Sequence, residues 1–120
     1  MSKKTLVLGA STKTERYSNI AIRRLLNSDH EVKAFGIKDG EVNGVTIDTE
    51  LIDYKDIDTI TLYINAKVQP QYYDYILSLN PKRVIFNPGT ENPEFYQLLK
   101  KEGISFEVAC TLVLLATNQY

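Results

Sequence analysis

Apolar residues along the chain come in short β-branched runs separated by stretches with helical spacing. Thr5 to Leu8 is such a run and stops at Gly9, which predicts a first strand buried on both faces. Ile20, Ala21, Ile22, Leu25 and Leu26 then recur three and four positions apart. They predict a helix, with Ser18 or Asn19 as N-cap and Asn27 to His30 as its stop. Strand character returns from Glu31 to Ile37 and is expected to end near Lys38. Asp39-Gly40 and Asn43-Gly44 read as turn signals, Val45 to Asp48 as a short extra strand, and Glu50 to Tyr54 as at most one turn of helix. Thr59 to Ile64 is almost wholly β-branched and apolar, as a central strand would be. Lys67 to Leu79 predicts a helix with Pro70 in its first turn and Val68, Tyr72, Tyr75, Ile76 and Leu79 on one side. Arg83 to Phe86 is a fourth main strand. Asn92 caps a helix that opens on Pro93 and is closed by Gly103, Ser105 to Val108 is the fifth main strand, and Thr111 to Ala116 is a final short helix.

Strands alternating with helices in this way imply right-handed crossovers and a parallel sheet covered on both faces. The expected fold is therefore an α/β, Rossmann-like three-layer sandwich around a mainly parallel five-stranded sheet, formed by residues 1–120 as a single domain. In such sheets ligands lie beyond the carboxyl ends of the strands, where the strand order reverses. The chemistry is thus expected in the loops after Leu8, Ile37, Ile64, Phe86 and Val108.

Composition narrows the partners. The 120 residues carry 14 basic and 15 acidic side chains, for a net charge of -1, so no broad basic surface calls for nucleic acid or an acidic membrane. Any phosphate site must be local. No apolar run approaches the length of a membrane span, and Met1 to Lys4 shows no export signal. One cysteine and one histidine exclude an internal disulfide and a structural zinc site, and fit a reducing cytoplasm. His30 falls in the turn before the second strand, at the amino-terminal edge of the sheet, where it is expected to be a surface residue. No metal site and no catalytic set is expected. Tyr72, Tyr73 and Tyr75 are expected to fill core space, and Cys110 to behave as a small hydrophobe.

The loop from Gly9 to Asn19 leads into a helix whose free N–H groups and dipole favour an anion. It keeps only the first glycine of the dinucleotide fingerprint but is rich in hydroxyls, so Ser11, Thr12 and Ser18 are candidate donors to a phosphate. The second strand ends in Gly36-Ile37-Lys38, without the acidic residue that an NAD ribose requires. A cation there suits a phosphorylated ribose, as in NADP or coenzyme A, although Asp39 is a competing neighbour. Asn65 offers an amide to the same crevice and Lys67 a further cation. Asn87-Pro88-Gly89-Thr90 combines a fixed backbone angle with a glycine that lets a ligand approach.

The blocks Val7-Leu8-Gly9-Ala10-Ser11, Tyr17-Ser18-Asn19, Val84 through Asn92 and Glu107 through Leu112, taken in this order, resemble the small single-domain CoA-binding proteins. These are stand-alone relatives of the CoA-binding domain of the succinyl-CoA synthetase alpha subunit. The resemblance covers essentially the whole chain. It implies that the loop of Gly9, Ala10, Ser11, Thr12, Ser18 and Asn19 holds a pyrophosphate and that Lys38 lies near the adenosine 3′-phosphate. It also implies that the loops of Asn65 and of Asn87, Pro88, Gly89 and Thr90 border the pantetheine arm. The implied ligand is coenzyme A or an acyl-CoA, with no established reaction and no implied protein partner. The alternatives are a small NADP-dependent enzyme and an interaction module with a vestigial crevice.

Overall fold

A computed structural model describes residues 2–120; Met1 lies outside the described residues. The strands are β1 Thr5–Leu8, β2 Val32–Phe35, β3 Gly40–Val42, β4 Val45–Asp48, β5 Thr59–Leu62, β6 Arg83–Phe86 and β7 Ser105–Val108. The helices are α1 Tyr17–Asn27, α2 Tyr73–Leu79, α3 Pro93–Lys101 and α4 Thr111–Ala116, with a 3-10 turn at Gln69–Tyr72. All strands join one sheet in the order β3-β4-β2-β1-β5-β6-β7.

The sheet thus has seven strands, not the expected five. Both additional strands belong to a hairpin, β3 antiparallel to β4, in which Val42 faces Val45 across the turn. Asn43 and Gly44 both hold positive φ, 48° and 88°, as a two-residue turn between twisted strands demands. The Asn-Gly pair therefore joins two strands and does more than end a loop. β4 then pairs parallel with β2, Ile47 beside Ala34, and extends the sheet on that side.

β1 lies at the centre, Thr5 between Val32 and Thr59 and Leu8 between Phe35 and Leu62. Its four residues are all buried, because alternate side chains enter two separate cores. Leu6 and Leu8 pack with Ile60, Leu62, Phe86, Phe95 and Leu99 under α2 and α3. Val7 packs with Ile22, Leu25, Ala34 and Ile47 under α1, beside which α4 lies through Leu115. Complete burial of an Ile or Leu side chain contributes about 1.5–3 kcal/mol, so α1 is held chiefly by Ile22 and Leu25, both fully buried.

Three helix details depart from the pattern-based expectation. α1 begins at Tyr17 with Arg16 as an N-cap that makes no side-chain bond, and both Ser18 and Asn19 are buried inside its first turn. Asn19 does not cap because its amide is used elsewhere: Nδ2 donates to the Ser11 carbonyl at 2.9 Å and Oδ1 accepts from Arg23 Nε at 2.9 Å. The segment from Lys67 forms a 3-10 turn before α2, because Gln69 is pulled into the sheet edge. Its Nε2 donates to the carbonyls of Ile64 and Thr90, and its Oε1 accepts from Asn92 Nδ2. Glu50 to Tyr54 forms no helix; Tyr54 instead donates its hydroxyl to Asp48, and Tyr75 donates to the Ile52 carbonyl.

His30 lies at the amino-terminal edge and is half-buried there, not free on the surface. Its Nδ1 accepts the Lys3 N–H at 2.9 Å and its ring rests on Tyr120, which also lies under the Arg83 guanidinium. Burial, then the nearby Lys3 charge, hold its pKa below the usual histidine value. None of these groups reaches the opposite edge, where the strands point their carboxyl ends.

Candidate functional site

At that edge β1 leads into α1 on one face of the sheet and its neighbour β5 leads toward α2 on the other, so these two connections part and leave a crevice above Leu8. A cavity of about 520 Å³ opens there, walled by Gly9 through Lys13, Arg16, Phe35 through Lys38, Tyr63, Ile64, Asn65, Val68 and Tyr72. A second cavity, of about 340 Å³, runs toward β6 and is walled by Tyr17, Ser18, Pro88, Gly89 and Thr90. Gly9, Ser11, Arg16, Tyr63 and Asn65 belong to both, so the two form one groove across the ends of β2, β1, β5 and β6. A concavity of about 310 Å³ around Asp56, Asp58 and Lys82 sits at the amino-terminal edge, apart from these loops.

The loop after β1 is held open by its own backbone. Gly9 turns at φ +101°, and a Cβ there would meet the Tyr63 carbonyl oxygen at 2.9 Å. The N–H groups of Gly9 and Ala10 both donate to the Phe35 carbonyl, so these two residues clamp the loop to β2. Gly36 completes the clamp, since a Cβ at that position would lie 2.5 Å from the Ala10 carbonyl oxygen. Ser11 Oγ accepts the Lys13 N–H at 3.1 Å, and the Lys13 carbonyl accepts the Arg16 N–H at 3.1 Å. Thr12 packs on Gly40 of the hairpin, where a Cβ would fall 2.4 Å from its methyl carbon. The amides of Tyr17 and Ser18, at the start of α1, have no carbonyl partner among the described residues, which leaves two donors and the positive end of the dipole at the smaller cavity.

Three cations reach this groove: Lys13 and Lys38 on the larger cavity and Arg16 on both. Among the described residues none of them forms an ion pair, although Glu15 and Asp39 are neighbours in sequence. Along with these cations the larger cavity has an apolar side of Ile64, Val68 and Tyr72, whose ring meets Phe35 edge-on at 5.6 Å. An anionic ligand with a flat apolar part suits both sides.

Of the residues singled out from sequence, Gly9, Ala10, Ser11, Thr12, Ser18, Lys38, Asn65, Pro88, Gly89 and Thr90 line the groove. Asn19 and Asn87 do not. Asn87 is buried, with Nδ2 donating to Thr61 Oγ1 at 2.7 Å and to the Leu62 carbonyl at 2.8 Å, and Oδ1 accepting the Thr111 N–H at 2.8 Å. It ties β5, β6 and α4 together and offers nothing further to a ligand. Thr90 Oγ1 likewise donates back to the Asn87 carbonyl. Asn65 Oδ1 accepts the Val68 N–H, which leaves its exposed NH2 free to face the groove. Lys67 is exposed and off both walls.

Sequence reasoning passed over Lys13, Arg16 and Tyr63. Tyr63 lines both cavities, and burial pushes its phenol up to about 12. Cys110 is half-buried at the start of α4 and lines neither cavity. Tyr73 stacks on Phe95 at 4.3 Å, a packing role, whereas Tyr72 both packs and lines the groove. Among the described residues no cluster of His, Cys, Asp or Glu has the makings of a metal site, and no helix is long and apolar enough to cross a membrane.

Comparison with known families decides the relationship: residues 3–116 match the CoA binding domain. The chain belongs to that family. This CoA-binding domain is also similar, at 49% identity and a TM-score of 0.98, to an uncharacterized protein of known structure, covering 100% of this chain and 99% of the other. A hypothetical protein from Pyrococcus horikoshii OT3 is 29% identical with a TM-score of 0.83, over 93% of this chain and 80% of that one. A Thermus thermophilus protein described as cell-free ID.343, 24% identical with a TM-score of 0.86 over 99% and 91% of the two chains, shares the fold. No curated protein matches this CoA-binding domain in sequence.

Proposed function

We propose that the protein binds coenzyme A, free or as an acyl-CoA, along the carboxyl edge of the sheet. The observation that carries this reading is the convergence of unpaired Lys13, Arg16 and Lys38 on a groove that also contains the amino end of α1. Coenzyme A needs such a set, because it presents a pyrophosphate and a separate 3′-phosphate on one nucleotide. In this arrangement the pyrophosphate lies at Ser11, Arg16 and the Tyr17 and Ser18 amides. The adenosine lies against Ile64, Val68 and Tyr72, with its 3′-phosphate toward Lys38. The pantetheine arm then follows the second cavity past Asn65 and the Pro88–Thr90 loop. We assign no catalytic residue, and we take the compartment to be a reducing cytoplasm, where a lone Cys110 stays a thiol.

Calorimetry with CoA and dephospho-CoA tests this placement. Charge-assisted contacts contribute about 1.5–3 kcal/mol, so CoA should bind about tenfold or more tightly than dephospho-CoA. Lys38→Ala should reduce that difference about three- to tenfold and leave dephospho-CoA affinity unchanged. Equal affinities of the two ligands for the unaltered protein would place the 3′-phosphate away from Lys38. NADP, whose ribose phosphate sits at the 2′ position, is the competing ligand to include, and tighter binding of NADP than of CoA would favour the small NADP-dependent enzyme instead.

A further inference from the structure

We infer that the three groove cations divide the ligand's phosphates between them, with Lys13 joining Lys38 on the ribose phosphate and Arg16 alone serving the pyrophosphate. This rests on the CoA reading above and adds a second specificity residue to it. The division follows from where the side chains stand. Arg16 lines both cavities and directly precedes Tyr17 and Ser18, which open α1 beside the smaller one. Lys13 and Lys38 line only the larger cavity, the one with the apolar wall, and are absent from the cavity that runs toward β6.

The backbone around Lys13 is held by bonds on both sides. Its N–H donates to Ser11 Oγ and its carbonyl accepts the Arg16 N–H, both at 3.1 Å. On the residue before it, Thr12 is pressed against Gly40; on the residue after it, the Thr14 carbonyl accepts from Arg23 at 2.9 Å. The chain on both sides of Lys13 is therefore anchored, and its ammonium has no carboxylate partner within ion-pair distance among the described residues. A phosphate monoester carries about 1.5 to 2 negative charges near neutral pH, more than one exposed lysine neutralises. Two lysines entering from different loops, one after β1 and one after β2, supply a matched pair. A ligand with a bare ribose hydroxyl gains from neither.

The test compares CoA with dephospho-CoA, and adenosine 3′,5′-bisphosphate with AMP, by calorimetry on Lys13→Ala, Lys38→Ala, Arg16→Ala and the Lys13→Ala/Lys38→Ala double variant. Each single lysine loss should cut the preference for the 3′-phosphorylated ligand about three- to tenfold, and the double variant should bind both members of each pair about equally. Arg16→Ala should weaken CoA and dephospho-CoA by the same factor and keep the preference. An unchanged CoA to dephospho-CoA ratio in Lys13→Ala, or an Arg16→Ala variant that loses the ratio, would overturn the division. Failure of the unaltered protein to bind CoA at all would instead overturn the reading on which it rests.

Discussion

Gly9→Val should abolish measurable CoA binding, a loss of about 100-fold or more in affinity, equivalent to about 2.7 kcal/mol, while the protein remains folded at room temperature. Gly9 holds φ +101°, where a β-branched residue is strained, and its new Cβ would stand 2.9 Å from the Tyr63 carbonyl oxygen and 3.0 Å from Ile64. Relief requires the loop to lift from β5, and with it Ser11 and the approach to α1. Strain and overpacking together cost about 3 kcal/mol, against a typical domain stability of about 5–15 kcal/mol. Gly103→Val supplies the control, because Gly103 also has positive φ, +73°, but has open space around it and lies beyond α3, away from the groove. Both variants should melt at lower temperature by circular dichroism, and only Gly9→Val should lose the ligand. Retention of full affinity by a folded Gly9→Val protein would remove the pyrophosphate from this loop.

Asn87→Ala should be the most destabilising single truncation among the candidate residues read from the sequence, by about 3 to 4 kcal/mol in urea unfolding, because it deletes three buried hydrogen bonds and strands the Thr111 N–H. The bonds to Thr61 Oγ1, the Leu62 carbonyl and the Thr111 amide join β5 to β6 and to α4. Asn65→Ala, at an exposed position that spans only from its own side chain to Val68, should cost less than about 1 kcal/mol. A midpoint for Asn87→Ala no lower than that for Asn65→Ala would show that the buried amide does not hold the layers together.

These two asparagines show what the sequence made legible. Both follow a strand at the carboxyl edge, and both look like ligand-binding amides when read along the chain. Only packing separates them: Asn65 is exposed and lines the groove, whereas Asn87 is buried with every polar atom engaged. The same holds for Asn19, whose side chain turns inward to Ser11 and Arg23. Where local chemistry sets an element by itself, its bounds were readable. β1 stops at Gly9, and α3 starts after the Asn92 cap on Pro93 and ends before Gly103, at Lys101. β4 was readable as the short extra strand at Val45 to Asp48, but its hairpin partner β3 escaped because it is only three residues long and opens on Gly40, too short to show an alternation. Lys13 and Arg16 escaped for a related reason. In a polar loop nothing along the chain distinguishes a cation that faces the crevice from one that faces water, and it is the clamp of Gly9, Ala10 and Gly36 that turns this loop over the groove.

Native mass spectrometry of the purified protein mixed with equimolar CoA, dephospho-CoA and NADP tests the central claim most directly. The protein should carry one CoA per chain in preference to either competitor, and the adduct should be lost in Gly9→Val. A spectrum with no CoA adduct, or with NADP as the only bound nucleotide, would contradict the assignment of this groove to coenzyme A.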